Sequence, residues 1–327
     1  MKVKIPDELK ADMPQTPWGK ILSATPVIMA VVATLLAGLA SSEMTRAQYD
    51  RSLAAQEQSK AGDQWSFFQA KRLRGAFQHN TLDLLESIAE VHPLEAEALR
   101  QAAAQLPAGA ASLKAGLSAL LDSAAGQKTL AALQEAQLPS VGAGAAPEPR
   151  LKAALDALES SRPESQIAPL VAQVSDRTIE EALRTAKDRA QAFDEAVQPV
   201  SQMIDLLGKL FAQRAASSGF ASGTGPSLGR DFTAARLRFT ALRYEAEARL
   251  NQAIANFYEL QVRRGNLSAE RHHARSQRFF YGMLAAQMAV IVSTLAIATR
   301  RRNLLWSLAA AAGVAAIAFA IYVYLYV

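Results

Sequence analysis

Cysteine is absent from this 327-residue chain. Its absence removes disulfides, thiolate metal sites and cysteine nucleophiles, and leaves the compartment open, because a chain with no thiol suits reducing and oxidising surroundings alike. Histidine is scarce too: His79, His92, His272 and His273 are the full set of four. The last two are neighbours, and successive positions on a helix point about 100° apart, so they do not chelate one ion. There is no H-E-x-x-H motif and no His/Asp cluster at ligand spacing, so neither a metal nor another cofactor is expected. The settings of common catalytic motifs are missing as well. Gly223-Thr224-Gly225-Pro226-Ser227-Leu228-Gly229 has no Gly-Lys-Ser/Thr after it and no strand before it. Its proline also removes an amide that a phosphate loop would need. No serine occupies a strand–turn–helix elbow. With no convincing β alternation anywhere, the expectation is an all-α protein that is not an enzyme.

A surplus of one charge is also missing from most of the chain. The net charge of +5 is concentrated at two places. Lys2, Lys4, Lys10 and Lys20 accompany Asp7, Glu8 and Asp12 in the first twenty residues, and Arg300, Arg301 and Arg302 lie together near the end. Taking those seven basic residues from 35, and the three carboxylates from 30, leaves 28 against 27 elsewhere. A nucleic-acid binder would carry its excess on one folded face, so no nucleic-acid partner is expected.

What the chain does have is long uncharged runs. Phe279–Ala298 is twenty residues without a charge, and after Thr299-Arg300-Arg301-Arg302-Asn303 comes a second run, Leu304–Val327. Twenty residues at about 1.5 Å each cover roughly 30 Å, the thickness of a bilayer's hydrocarbon core. The pair reads as a transmembrane hairpin. A third run, Ile21–Ala40, follows the early lysines. A cleaved signal peptide is the competing reading, but the run is long for a signal core and continues as helix, which favours a retained anchor. The lipid bilayer is therefore the first expected partner.

The rest of the chain is ordered between these spans. Residues 1–20 read as a flexible tail, 21–42 as transmembrane helix 1, 279–298 as transmembrane helix 2 and 304–327 as transmembrane helix 3. Residues 43–90 form one long helical stretch ended by His92-Pro93, since the residue before proline leaves the helical region. Shorter helices are expected at 94–106, 111–136, 150–160 and 163–216, the last with starts or kinks at Pro169 and Pro199, and a loop at 139–149. Residues 217–229 are the strongest break, and 230–278 is again one helix running into the second span. In it, Ala235, Phe239, Leu242, Ala246, Leu250, Ala253, Phe257 and Leu260 recur at steps of three and four, a coiled-coil-like stripe. The two long helices should pair as an antiparallel stalk within 43–278, with the helices between Leu94 and Ala216 as a helical distal region.

Gly62-Asp63-Gln64-Trp65-Ser66-Phe67-Phe68-Gln69-Ala70-Lys71 is the most distinctive stretch. Trp65, Phe67 and Phe68 cover more than one helix face, so some pack on the partner stalk helix and others are free to meet a neighbouring subunit. Here the sequence resembles the bacterial domain of unknown function 4337 family, whose members carry an early membrane helix followed by a run similar to S-D-Q-W-A-Y-Y-Q-A-K. Asp63, Gln64, Trp65, Gln69, Ala70 and Lys71 match that run, with Ser66, Phe67 and Phe68 as conservative replacements. Arg301, Arg302 and Trp306 fall at the family's basic closing hairpin, lengthened here by Asn303, Leu304 and Leu305. The resemblance covers residues 20–90 and 240–327, treats the middle as an expansion, and implies an architecture but no activity.

Inside the spans, small residues recur every fourth position: Ala30, Thr34, Gly38 and Ser42 in the first, and Ala285, Ala289 and Ser293 in the second. The third shows Ala309 and Gly313, and again Ala312, Ala316 and Ala320. Such ridges let helices approach closely where lipid supplies no hydrophobic drive. Gln287 lies near mid-span, where an unpaired amide is costly, and should bond another helix. The interaction candidates are thus Trp65, Phe67, Phe68, Gln287, Gly38 and Gly313.

These features favour a membrane-anchored scaffold or structural protein that self-associates through its spans and stalk as a homo-oligomer. The alternative is an accessory subunit or channel-like component of a membrane transport complex, with another membrane protein as partner. A chemoreceptor-like sensor is disfavoured, since the expected segments leave no signalling output domain. The short basic segments place the amino terminus and arginine link in the cytoplasm of a bacterial inner membrane, with the large helical region in the periplasm.

Overall fold

The computed structural model describes residues 17–105, 109, 111–139, 146–217, 225–298 and 302–326. Among these the protein is all helical, with no strand and nine α-helices: α1 (Pro17–Ile88), α2 (Ala96–Ala104), α3 (Ala111–Asp122), α4 (Ala124–Gln134), α5 (Pro149–Glu159), α6 (Glu164–Ala172), α7 (Asp176–Ser217), α8 (Gly225–Ala298) and α9 (Arg302–Tyr326). The first sixteen residues of the expected tail, the loop at 140–145, the glycine-rich 218–224 and most of the arginine link, 299–301, lie outside the described residues.

Helix α1 is 72 residues long and contains Pro26 near its start. After Pro26 it meets no further proline, and only Gly38, Gly62 and Gly75 as weak formers, so nothing breaks it before His92-Pro93. The backbone N–H of His92 donates to Asp231 Oδ1 at 2.9 Å, which satisfies one amide beyond the helix end. Helix α8 runs 74 residues, passing unbroken through Gly265. It begins at Gly225, so residues 225–229 belong to the helix and not to the expected linker. Residues 163–216 divide at 173–175 and not at Pro169 or Pro199: α6 ends at Ala172, and Ser175 begins α7 by accepting from the Thr178 N–H at 3.1 Å. Pro199 sits inside α7 without ending it. Ser123 divides 111–136 in the same manner, its hydroxyl accepting from the Gly126 N–H at 2.9 Å to start α4.

The chain forms two compact units: residues 1–56 with 262–327, and residues 57–261. In the first, the apolar stretches of α1, α8 and α9 pack on one another. Met29, Ala33, Ala286, Ala289 and Ala316 form one buried cluster, and Leu36, Ala40, Phe279 and Val323 another. Each of the three helices is long and apolar enough to cross a membrane. Just past the apolar stretches, Ser276 Oγ donates to the Ala40 carbonyl at 2.7 Å, and His272 lies between Glu43 (2.5 Å) and Asp50 (4.0 Å). Ala47 and Ala54 are buried there, and a Cβ placed on Gly265 would lie 3.2 Å from that of Ala54. Small side chains seven residues apart on one helix face let the two backbones come together.

In the second unit α8 is sandwiched. One face meets residues 57–88 of α1 antiparallel, with Leu82 against Ala234 and Leu237. The other faces the distal helices. Leu94, Leu99, Leu117, Leu121, Leu130 and Leu133 pack with Phe193, Val197, Met203 and Leu207 of α7 and with Phe232, Ala235 and Phe239 of α8. The stripe expected to be the stalk seam is therefore shared out differently: Ala235, Phe239, Ala246 and Leu250 serve this distal core, while Ala234 and Leu237 meet α1. Periodicity showed an apolar face, and α8 has two.

Candidate functional site

Helix α1 in the second unit shows what its pairing uses and what it leaves over. The contacts with α8 are small and polar. Trp65 donates its indole N–H to Glu259 at 2.7 Å and meets Phe68 edge-on, 5.3 Å between centroids. Lys71 donates to Glu247, which is 4% exposed and also accepts from Arg243 Nε at 2.6 Å. Arg243 in turn reaches Ser201 of α7 at 2.9 Å. His79 pairs with Glu245 at 3.0 Å, and Arg238 donates to Glu86. A buried carboxylate with two cations is a registry device: shifting the helices by one turn would strand its charge.

The opposite face of the same helix is bare. Phe67, Leu73, Phe77, Leu84 and Ile88 are 54%, 72%, 68%, 62% and 73% exposed. Phe67, Ala70, Phe77, Thr81, Leu84 and Ile88 fall on a three–four repeat, skipping only Arg74, so they lie along one stripe. Scattered apolar residues on a surface need no explanation, but four large ones on one repeat, Phe67, Phe77, Leu84 and Ile88, with Leu73 beside them, do. Of the three aromatic candidates, then, Trp65 and Phe68 turn towards the chain's own helices and Phe67 turns away.

The span candidates divide in the same way. Gly313 is buried, and a Cβ there would come 2.8 Å from Met29 Sδ, so its small size serves packing within the chain. Ala289, Ser293, Ala309 and Ala316 are buried as well. The ridges of the second and third spans are thus consumed internally. Ala30, Thr34, Gly38 and Ser42 are all exposed, and nothing lies within 4 Å of a Cβ placed on Gly38. Gln287 is exposed too and hydrogen-bonds no described residue, so the helix it was expected to bond is not one of the chain's own described helices.

Elsewhere among the described residues little chemistry converges. Among the described residues no three His, Asp or Glu side chains are placed to hold a metal ion. An open cleft of about 540 Å³ in the second unit is lined by Lys128, Thr129, Glu135 and Gln137 beside Pro139 and Pro199, without a nucleophile–base pair.

Residues 18–198 match a family model described as Domain of unknown function (DUF4337), which is more than half of the chain. The chain belongs to that family. No curated protein and no solved structure matches it. The DUF4337 match takes in α1 with its aromatic run and continues through the distal helices to residue 198, across the stretch read as an expansion. Residues 240–327, where the arginines and tryptophan of the closing hairpin resemble the family, lie beyond it.

Leu73, Phe77, Leu84 and Ile88 were missed as candidates. For Phe77, Leu84 and Ile88 the signal was readable in the three–four repeat that Phe67 begins; Leu73 lies one position before its Arg74 step.

Proposed function

We propose that this protein is a non-enzymatic, membrane-anchored scaffold that self-associates, its exposed helix faces forming coiled-coil-like contacts between copies. The observation that carries this reading is the apolar stripe of α1 from Phe67 to Ile88, which no helix of the chain covers among the described residues. Copies inserted in one bilayer by the same spans run parallel, and each carries the stripe the same number of residues from its anchor. Parallel copies in a plane associate most simply by cyclic symmetry. The setting we propose is a bacterial cytoplasmic membrane, with the amino terminus inside and residues 43–278 in the periplasm, because the short segments hold four lysines and three arginines.

The test is the mass of the full chain in native membrane particles and in mild detergent. A discrete multiple of the single-chain mass is expected. Monomer alone in both would remove the scaffold reading. A transport role makes a different demand, ion flux through liposomes carrying the purified protein. It is less favoured because Gln287 faces away from the three-helix packing instead of lining its interior.

A further inference from the structure

We infer that Gln287 marks a helix–helix contact between copies of this chain inside the bilayer, made by the outward face of α8. The inference rests on the self-association reading and gives it a location. Gln287 is eight residues from Phe279 and eleven from Ala298, so it sits roughly 12 Å and 16 Å from the two ends of the apolar run. Its side chain is too short to bring the amide to either headgroup region. The neighbouring hydroxyls are already satisfied: Ser293 and Thr294 donate to the Val290 and Ile291 carbonyls at 2.9 and 2.8 Å. The Gln287 amide is left facing hydrocarbon, where an unpaired polar group is costly.

The surroundings of the amide are built for a helix. Phe280, Leu284, Gln287, Ile291 and Thr294 are all exposed and step by four, three, four and three. That is the seam of two helices in knobs-into-holes contact, with the polar side chain at its centre. The opposite side of this segment, through Ala286, Ala289 and Ser293, is fully buried within the chain and unavailable. The occupant of the outward seam is a second copy of the same chain, and the chemistry selects it. A primary amide carries donors and an acceptor, so two identical amides satisfy each other reciprocally. Two copies in one membrane place Gln287 at the same depth by construction, and a single polar residue in an apolar seam fixes register. A foreign helix would need its own polar group at that depth, and lipid tails offer none.

Because the native chain has no cysteine, single cysteines report without background. Leu284→Cys and Ile291→Cys, each in the full chain in native membranes, should form inter-copy disulfides on oxidation, and the inward-packed Val290→Cys should not. Adding Gln287→Leu, which makes the span more apolar and leaves insertion intact, should lower the crosslinked fraction by roughly three- to thirtyfold. Gln287→Asn should restore much of it. Native particles that are oligomeric by mass but give no crosslink at either outward position overturn this contact and leave the scaffold reading standing. Monomeric native particles overturn both. Crosslinks unchanged by Gln287→Leu remove the amide's role, and a crosslinked product containing a different protein removes the second copy as its occupant.

Discussion

Glu247 shows how much a single residue decides in this protein. It is a buried carboxylate on α8, held by Lys71 of α1 and by Arg243 one turn before it. Glu247→Leu removes the acceptor of both hydrogen bonds and leaves two cations that still reach water, so it is expected to cost about 2 kcal/mol, read by chemical unfolding of the helical signal. Arg177→Ala, which breaks only the exposed pair with Glu181, should leave the same transition where it was. Glycines provide a second contrast. A Cβ at Gly75 would meet Tyr244 Cβ at 3.5 Å, ordinary contact, so Gly75→Ala should stabilise the protein by roughly 0.5–1 kcal/mol through helix propensity alone. At Gly265 the neighbour is Ala54 Cβ at 3.2 Å, backed by the Asp50 carbonyl at 3.5 Å, and neither is a flexible tip. Gly265→Leu should therefore separate the helices and lower the melting temperature. A loss of stability from Gly75→Ala equal to that from Gly265→Leu would contradict the packing described. Neither glycine was distinguishable from the other in the sequence, since spacing along one helix says nothing about how near the partner's backbone comes.

At the scale of elements, the continuity of α1 and α8 was legible because it depends on local chemistry: long stretches free of proline, few glycines, and a His-Pro stop. The breaks at residues 123 and 173–175 were not, since a serine cap ends one helix and starts another without glycine or proline. Partner choice was the harder matter. Ala235, Phe239, Ala246 and Leu250 form a real stripe, yet they pack on the distal helices, while the face towards α1 is built from Ala234, Leu237 and the polar side chains around Glu247. Periodicity measures how apolar a face is and not what covers it. The antiparallel pairing itself follows from the contact order, in which Trp65 meets Glu259 and Glu86 meets Arg238. Its test uses the first unit, where a Cβ on Gly265 would lie 3.2 Å from that of Ala54. Ala54→Cys combined with Gly265→Cys should oxidise to a disulfide within one chain, because a Cβ separation near 3.2 Å is close to the usual disulfide range of about 3.5–4.5 Å. A bond found solely between copies would mean that the long helices exchange partners.

For the whole molecule the open question is which side of the membrane the helical region occupies, and the charges pull both ways. Arg300, Arg301 and Arg302 fill a link of a few residues between two spans, and four lysines precede the first. Short loops of this kind are where the positive-inside rule has its force. Against them stand Arg263, Arg264, Arg271, Arg275 and Arg278, all within about sixteen residues of the second span on its other side. These five count for less in the proposed orientation. They belong to α8 and precede its apolar stretch, at the end of a region of more than two hundred residues between the first two spans. Long domains cross largely regardless of their charge, whereas a three-arginine link has no such alternative. We therefore expect a secreted-phosphatase reporter inserted at Ser222 to be active and a fluorescent reporter that folds only in the cytoplasm to be dark there. The same fluorescent reporter at the amino terminus should be bright. Replacing Arg300, Arg301 and Arg302 with glutamine should weaken this preference and populate the inverted form. An inactive phosphatase together with a bright reporter at Ser222 would place residues 43–278 in the cytoplasm and reverse the assignment.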